Sequence, residues 1–260
     1  MRTLKLTIAY DGTRYAGWQR QDHARPQKRA TIQATLEEAV QQIVREPIRL
    51  KASGRTDTGV HAIGQVAHFK TASPIPCERL LRAVNHVLPD DIAVTRIEAV
   101  AAAFHAQYDA AGKHYRYRIF TGSATSPFIR RWVHQVRNSL NVALMRREIA
   151  SIKGKHDFAA FTKAGHRSNK TVRAISRASL TRHGEELHFD IEGSGFLYTM
   201  VRSIVGTLID IGRGRRKPGT FKQMIATKKR TLAGTTAPAQ GLTLISVTYP
   251  RLRKKIYRRG

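Results

Sequence analysis

Leu4, Leu6, Ile8 and Tyr10 alternate with Lys5, Thr7 and Ala9, the period of a strand with one face in a core. Asp11-Gly12 ends it in a turn. Thr31 stands where a helix cap belongs, and Ile32, Leu36, Ala39, Val40, Ile43 and Val44 form one apolar stripe at helical spacing before Glu46-Pro47 closes it. Apolar runs at 48–50 and 64–69 predict two strands flanking a loop. Pro76 opens a second helix through Leu80, Leu81, Val84 and Val87, and Ile92, Val94 and Ile97 supply a returning strand. Strand, helix, strand, strand, helix, strand is the order of a ferredoxin-like unit.

The second half repeats that order less clearly. Tyr115, Tyr117 and Ile119 fall on one face of an alternating strand, and Arg116, Arg118 and Phe120 on the other; Tyr117 is expected in the core. Phe104-His105-Ala106 is expected to hold the first half against this segment. A helix is predicted over 141–152, then a basic loop around 165–170, strands over 172–180 and 187–191, and a helix through Val201, Ile204, Val205, Leu208 and Ile209 with Arg202 on its other side and Gly212 as its stop. Phe221, Met224 and Ile225 predict a short helix, and 242–249 a final strand. The expected fold is α/β (α+β), with two pseudosymmetric ferredoxin-like halves, 1–108 and 109–250, followed by a basic tail, 251–260. Their sheets would join side by side into a mixed, mainly antiparallel sheet, with helices on one face and a long cleft on the other.

Charge narrows the partner. The 260 residues carry 46 Lys plus Arg against 18 Asp plus Glu, a formal +28, which points to a polyanion. Nucleic acid is favoured over a membrane because the chain has no long apolar span, signal-peptide pattern or acylation signal. The single cysteine, Cys77, excludes an intrachain disulfide and a cysteine-cluster metal site. The histidines are scattered without the spacing of a zinc site, so neither metal nor cofactor is expected. The location expected is the cytoplasm.

In so basic a chain, Asp57 stands out. It lies in Ala52-Ser53-Gly54-Arg55-Thr56-Asp57-Thr58-Gly59-Val60-His61, between two glycines that permit tight backbone paths. Two readings are open: the carboxylate caps its own turn, or it is a nucleophile or general base kept ionised by a neighbouring arginine. Trp18, flanked by Arg14 and Arg20, is either core cover or part of a loop that grips RNA by phosphate contact and stacking. Residues 22–30 read as a further basic loop.

Gly54-Arg55-Thr56-Asp57-Thr58-Gly59-Val60-His61 resembles the catalytic signature of the TruA family of tRNA pseudouridine synthases. Tyr10-Asp11-Gly12-Thr13-Arg14-Tyr15-Ala16-Gly17-Trp18-Gln19-Arg20-Gln21 resembles that family's opening strand and turn, Lys113-His114-Tyr115-Arg116-Tyr117-Arg118 its aromatic strand, and Phe196-Leu197-Tyr198-Thr199-Met200-Val201-Arg202 the start of its late helix. The four blocks keep the family's order across nearly the whole chain. The resemblance implies conversion of uridine to pseudouridine at positions 38, 39 or 40 of the tRNA anticodon stem-loop, by a homodimer whose two subunits are both spanned by tRNA.

It further implies that Asp57 either attacks C1' or, by the favoured route, abstracts the C2' proton to give a glycal. Tyr115 would stack on the flipped base and assist loss of the C5 proton, and Arg202 would pair with Asp57. Arg55 is expected as wedge or phosphate grip, with Arg14, Arg20, Lys163, Arg167, Arg215 and Arg216 as further RNA contacts. Gly54, Thr56, Gly59 and His61 are expected to support the loop. Many members carry histidine in place of Tyr198 or Thr199 and alanine in place of Thr58; activity is expected to survive both departures. Two rival readings are a metal-independent nuclease using His61, His105 or His114 with Asp57, and an RNA chaperone in which Asp57 only caps its loop.

Overall fold

The computed structural model describes residues 1–20, 29–162 and 170–250. The expected basic loop therefore falls largely, and the tail wholly, outside the described residues. Strand β1 (Arg2–Tyr10) buries Leu4, Leu6, Ile8 and Tyr10 on one face. Helix α1 (Ile32–Val44) starts at Thr31, whose hydroxyl accepts from the Ala34 amide at 3.3 Å, and ends at Arg45 in the left-handed region. The short β2 covers Lys51–Ala52, just beyond the 48–50 run predicted as strand. Ile48 and Leu50 are buried in the core instead; the apolar run marks burial, and pairing begins where the chain meets β3 (His61–Thr71). Helix α2 (Cys77–Val87) and β4 (Ile92–Val100) complete the first half.

The second half contains β5 (Gly112–Phe120), the two-residue β6 (His134–Gln135), α3 (Val142–Ile149) capped by Asn141, and β7 (Gly154–Asp157). The paired strands β8 (Val172–His183) and β9 (Glu186–Gly193) follow, then α4 (Met200–Gly212), α5 (Thr220–Thr227) and β10 (Leu242–Thr248). Gly212 is the last residue of α4 and not its stop. The turn lies one step later, at Arg213 and Gly214, where Gly214 takes φ +72°; a side chain at Gly212 would instead collide with Met145.

All these strands join one sheet in the order β4-β1-β3-β10-β5-β9-β8-β7, with β2 on β3 and β6 on β5. Pairing is antiparallel except at β5–β6 and at β10–β3. The β10–β3 junction aligns Thr243 with His61 and Leu244 with Ala62. This seam joins the halves and sits directly beside the Asp57 loop.

The apolar sides of β1 and β5, with Leu4, Leu6, Tyr115 and Tyr117, share one core with Leu36 and Val40 of α1, Leu80 of α2 and Ile204, Val205 and Leu208 of α4. The cleft opens on this same face, against the expectation of helices on one side and cleft on the other. Tyr115 and Leu242, both on the Tyr117 side of the sheet, line it. On the opposite face of β5 and β9, His114 and Arg116 meet Asp190, and Arg118 meets Glu186.

Candidate active site

The loop between β2 and β3 is fixed at many points before any functional side chain is considered. The Thr56 hydroxyl shares a hydrogen bond with Tyr10 Oη at 2.8 Å, and its carbonyl accepts from the Trp18 amide at 3.1 Å. Gln65, buried on β3, donates to Gly54 O at 3.0 Å, and Ser53 Oγ meets Gln65 Oε1 at 2.8 Å. Gly59 turns the chain at φ +77°, the left-handed region that favours glycine. His61 closes the loop. Its Nδ1 accepts from the Gly12 amide at 3.1 Å, and its Nε2 meets the carbonyls of Arg131 and Gln240 at 3.0 and 3.2 Å. Burial lowers the His61 pKa, with Asp11 opposing, so the ring acts as a neutral strut.

Lys113 braces the loop from the second half. Its Nζ donates to Ser53 O at 2.8 Å, and a Cβ on Gly54 would fall 2.4 Å from that amine. Burial, and then the charge of Arg173, lower the Lys113 pKa to about 8. Gly54 thus leaves room for a partly desolvated cation at the base of the cleft.

Asp57 projects from this frame, its side chain 20% exposed. Arg202 Nη1 donates to its Oδ2 at 2.9 Å. Arg202 is itself held: Nε donates to Ala237 O at 2.8 Å, and its carbonyl accepts from the Ala237 amide at 3.0 Å. That approach depends on Gly206, where a Cβ would lie 1.7 Å from Thr235 O. Among the described residues, the carboxylate bonds Arg202 and no amide of its own turn. The ion pair joins residues 145 positions apart and bridges the two halves.

Tyr115, 8% exposed, stands edge-on to Phe196 at 5.3 Å on the cleft wall. Burial first, then the proximity of Tyr10 and Asp57, raises its phenol pKa, so the neutral hydroxyl is strongly favoured. Tyr117 is fully buried and donates to Pro238 O at 2.8 Å, a core role. Trp18 is 1% exposed, with its ring 6.1 Å from Tyr10. Its ring is core cover and its backbone amide serves the loop; it is not an RNA-gripping aromatic.

The cleft measures about 1530 Å³, and Asp57 is the one carboxylate among the described residues lining it, against Lys51, Arg55, Lys113, Arg173 and Arg202. Arg55 is exposed on that lining. The other expected RNA contacts are dispersed. Arg14 Nη2 pairs with Asp91 at 2.6 Å, and Arg20 reaches Glu37 at 3.5 Å. Arg216 donates to the carbonyls of Leu232 and Ala233 and lies 3.7 Å from Asp210, so it braces a turn. It and the exposed Arg215 lie in the turn at the far end of α4, about 15 Å along the helix from Arg202 at 1.5 Å per residue. Lys163 and Arg167 are outside the described residues.

The three histidines of the nuclease reading are not assembled around Asp57. His61 is buried in its strut, and His114 points to the opposite face, where Nε2 meets Asp190 at 2.6 Å. His105 lines the cleft but stacks on Tyr108.

Sequence reasoning gave Lys113 and Arg173 no role, and marked Thr199 only as a departure from the family pattern. Thr199 precedes α4 at φ +57°, a costly conformation for a β-branched residue, and its buried hydroxyl has no hydrogen-bond partner among the described residues. Lys113 carried a signal in its position two residues before Tyr115 on the cleft-facing side of β5.

The sequence model of a tRNA pseudouridine synthase family matches residues 6–109 and 149–250. The chain is 44% identical over 249 residues to tRNA pseudouridine synthase A of Acetivibrio thermocellus, covering 96% of this chain and 100% of that protein. It is 43% identical over 249 residues to the protein of that name from Geobacter sulfurreducens, with the same coverage. Against its counterpart in Exiguobacterium sibiricum it is 44% identical over 256 residues, covering 98% of this chain and 100% of the other.

Proposed function

The chain belongs to the tRNA pseudouridine synthase family, and on that premise we propose that it acts on the tRNA anticodon stem-loop, at one or more of positions 38, 39 and 40, through Asp57. The enzyme isomerises uridine to pseudouridine in tRNA. The observation that carries the site reading is the Asp57–Arg202 pair, 2.9 Å apart, in a lining otherwise cationic among the described residues.

The reaction breaks the N1–C1' bond and forms C5–C1', while C5 loses a proton and N1 gains one, so the formula is unchanged. A carboxylate is needed at the sugar in either route. As base, Asp57 removes the C2' proton while uracil departs, leaving a glycal, and returns that proton to C2' as C5 bonds C1'; as nucleophile, it holds C1' until C5 attacks and displaces the carboxylate. Arg202 orients the carboxylate through its 2.9 Å hydrogen bond. Tyr115 stacks on the extruded base, and its hydroxyl relays the C5 proton as a neutral group. Arg55 grips phosphate or wedges the stem while the base is out, helping to offset an unstacking cost of a few kcal/mol.

The two halves, 1–108 and 109–250, read as pseudosymmetric ferredoxin-like units. Supporting this, β1-α1-β2-β3-α2-β4 and β5-α3-β8-β9-α4-β10 run in the same order, with spatial orders β4-β1-β3-β2 and β10-β5-β9-β8. The enzyme works as a homodimer in the cytoplasm, with tRNA spanning both subunits; light scattering that finds a fully active monomer would exclude that arrangement.

The test of function is product identity on unmodified tRNA. Carbodiimide treatment followed by primer extension should give stops reporting pseudouridine at one or more of positions 38 to 40, in RNA of unchanged length. Cleaved RNA, or intact RNA without pseudouridine, would overturn the proposal.

A further inference from the structure

Tyr108 is 78% exposed on the cleft wall, yet the turn that carries it is tightly held. His105 Nδ1 accepts from the amides of Gln107 and Tyr108 at 3.2 and 3.3 Å. Asp109 Oδ2 accepts from the His105 amide at 2.8 Å, and the Asp109 amide donates to His105 O at 3.0 Å. Between them, the Ala106 amide donates to His68 Nδ1 at 3.1 Å and its carbonyl accepts from Tyr249 Oη at 2.7 Å. The rings continue this order. Tyr108 stacks on His105 at 4.2 Å and 22°, and His105 meets His68 at 4.8 Å and 65°.

One face of the Tyr108 ring is therefore backed by imidazole while most of the side chain remains in water. An aromatic fixed in advance loses little conformational freedom when a flat partner covers it. The cleft also exceeds the roughly 300–1,000 Å³ that encloses a small molecule, leaving room for more than one nucleotide. Phe128, more exposed at 84%, is not on the cleft lining.

We propose that Tyr108, backed by His105, is a stacking platform for the unpaired nucleobase next to the nucleotide that enters the Asp57 site. The inference rests on the reading that this cleft takes RNA. When one base leaves a helical stack its neighbour loses a stacking partner, and an aromatic ring at the cleft wall supplies a replacement. Because any base has a π face, the platform contributes affinity with little sequence preference.

The test compares wild type with Tyr108→Ala, Tyr108→Leu and Tyr108→Phe, on unmodified tRNA and on an anticodon-arm hairpin carrying 2-aminopurine beside the target uridine. Tyr108→Ala should weaken tRNA binding by roughly 5- to 150-fold, the equivalent of one lost stack. The single-turnover rate at saturating enzyme should stay within about threefold of wild type. Tyr108→Phe should restore affinity, Tyr108→Leu should not, and 2-aminopurine fluorescence should be quenched by the wild-type and Phe proteins only. Wild-type affinity and quenching in Tyr108→Ala would overturn the platform. Loss of affinity accompanied by dissociation of the oligomer in light scattering would overturn it in favour of a contact between copies. A wild-type protein that forms no pseudouridine would instead sink the underlying functional reading.

Discussion

The two faces of β5 carry similar residue types to different ends. On one, Lys113, Tyr115 and Tyr117 face the core and the cleft, where Asp57 is the one carboxylate among the described lining residues. On the other, His114 and Arg116 both bond Asp190, Arg118 bonds Glu186, and Glu186 also meets His188. Burial pulls the Asp190 pKa up, but Arg116 and His114 bring it below its ordinary value; Arg118 does the same for Glu186. The few acids of a chain at +28 are placed unevenly. Along β5 the acids of β9 neutralise the cations of one face, and the cleft side, with Asp57 as its one carboxylate among the described lining residues, is left to phosphate.

The largest effect expected from that asymmetry is on binding. If about 6 to 10 phosphate contacts form, tRNA affinity should fall by roughly three to five orders of magnitude between 50 and 200 mM salt. A flat titration would mean that the cleft cations are only a solvated surface. Next, Arg202→Met should slow single-turnover pseudouridine formation by about a hundredfold or more, since a misplaced reacting group costs that much. The matched change on the other face, Arg116→Met, should cost about 1–3 kcal/mol of stability from a weakened buried carboxylate contact and leave the rate unchanged. Equal rate losses in both variants would erase the distinction between the faces.

Much of this arrangement was legible in the sequence because it is periodic. The alternation of β1 and β5 and the stripe of α1 are local signals, and they placed the core side of each element correctly. The Asp57–Arg202 pair was reachable only through resemblance, since its members lie 145 positions apart and neither carries a local mark of the other. Arg216 shows the opposite failure, and so does the RNA-gripping one of the two readings of Trp18. Each sits among basic residues, yet burial beside Tyr10 in one case and the carbonyls of Leu232 and Ala233 in the other decide its role. Strand β2 begins after its apolar run for the same reason, because pairing depends on where β3 lies.

Smaller effects sharpen the cleft side. Tyr115→Phe should retain tRNA affinity within a few-fold while losing about tenfold to a hundredfold in single-turnover rate; unchanged turnover would remove the hydroxyl from the chemistry and leave only the ring. For Lys113, the folded-state pKa of about 8 lies below its ordinary 10.5. The unfolded chain therefore binds more protons between those values, and this group's contribution to stability rises with pH across that window. Urea unfolding of wild type relative to Lys113→Met should thus shift in favour of wild type between pH 7.5 and pH 10. No change in the difference would place the amine in water, not beneath the loop.

The central claim is that the Asp57 carboxylate does the chemistry while the surrounding cations hold the RNA, and Asp57→Asn separates the two with almost no change of shape. Single-turnover pseudouridine formation and tRNA affinity should be measured on the same folded preparation. The account predicts affinity within a few-fold of wild type and a rate lower by at least about a hundredfold. A rate equal to wild type would contradict it.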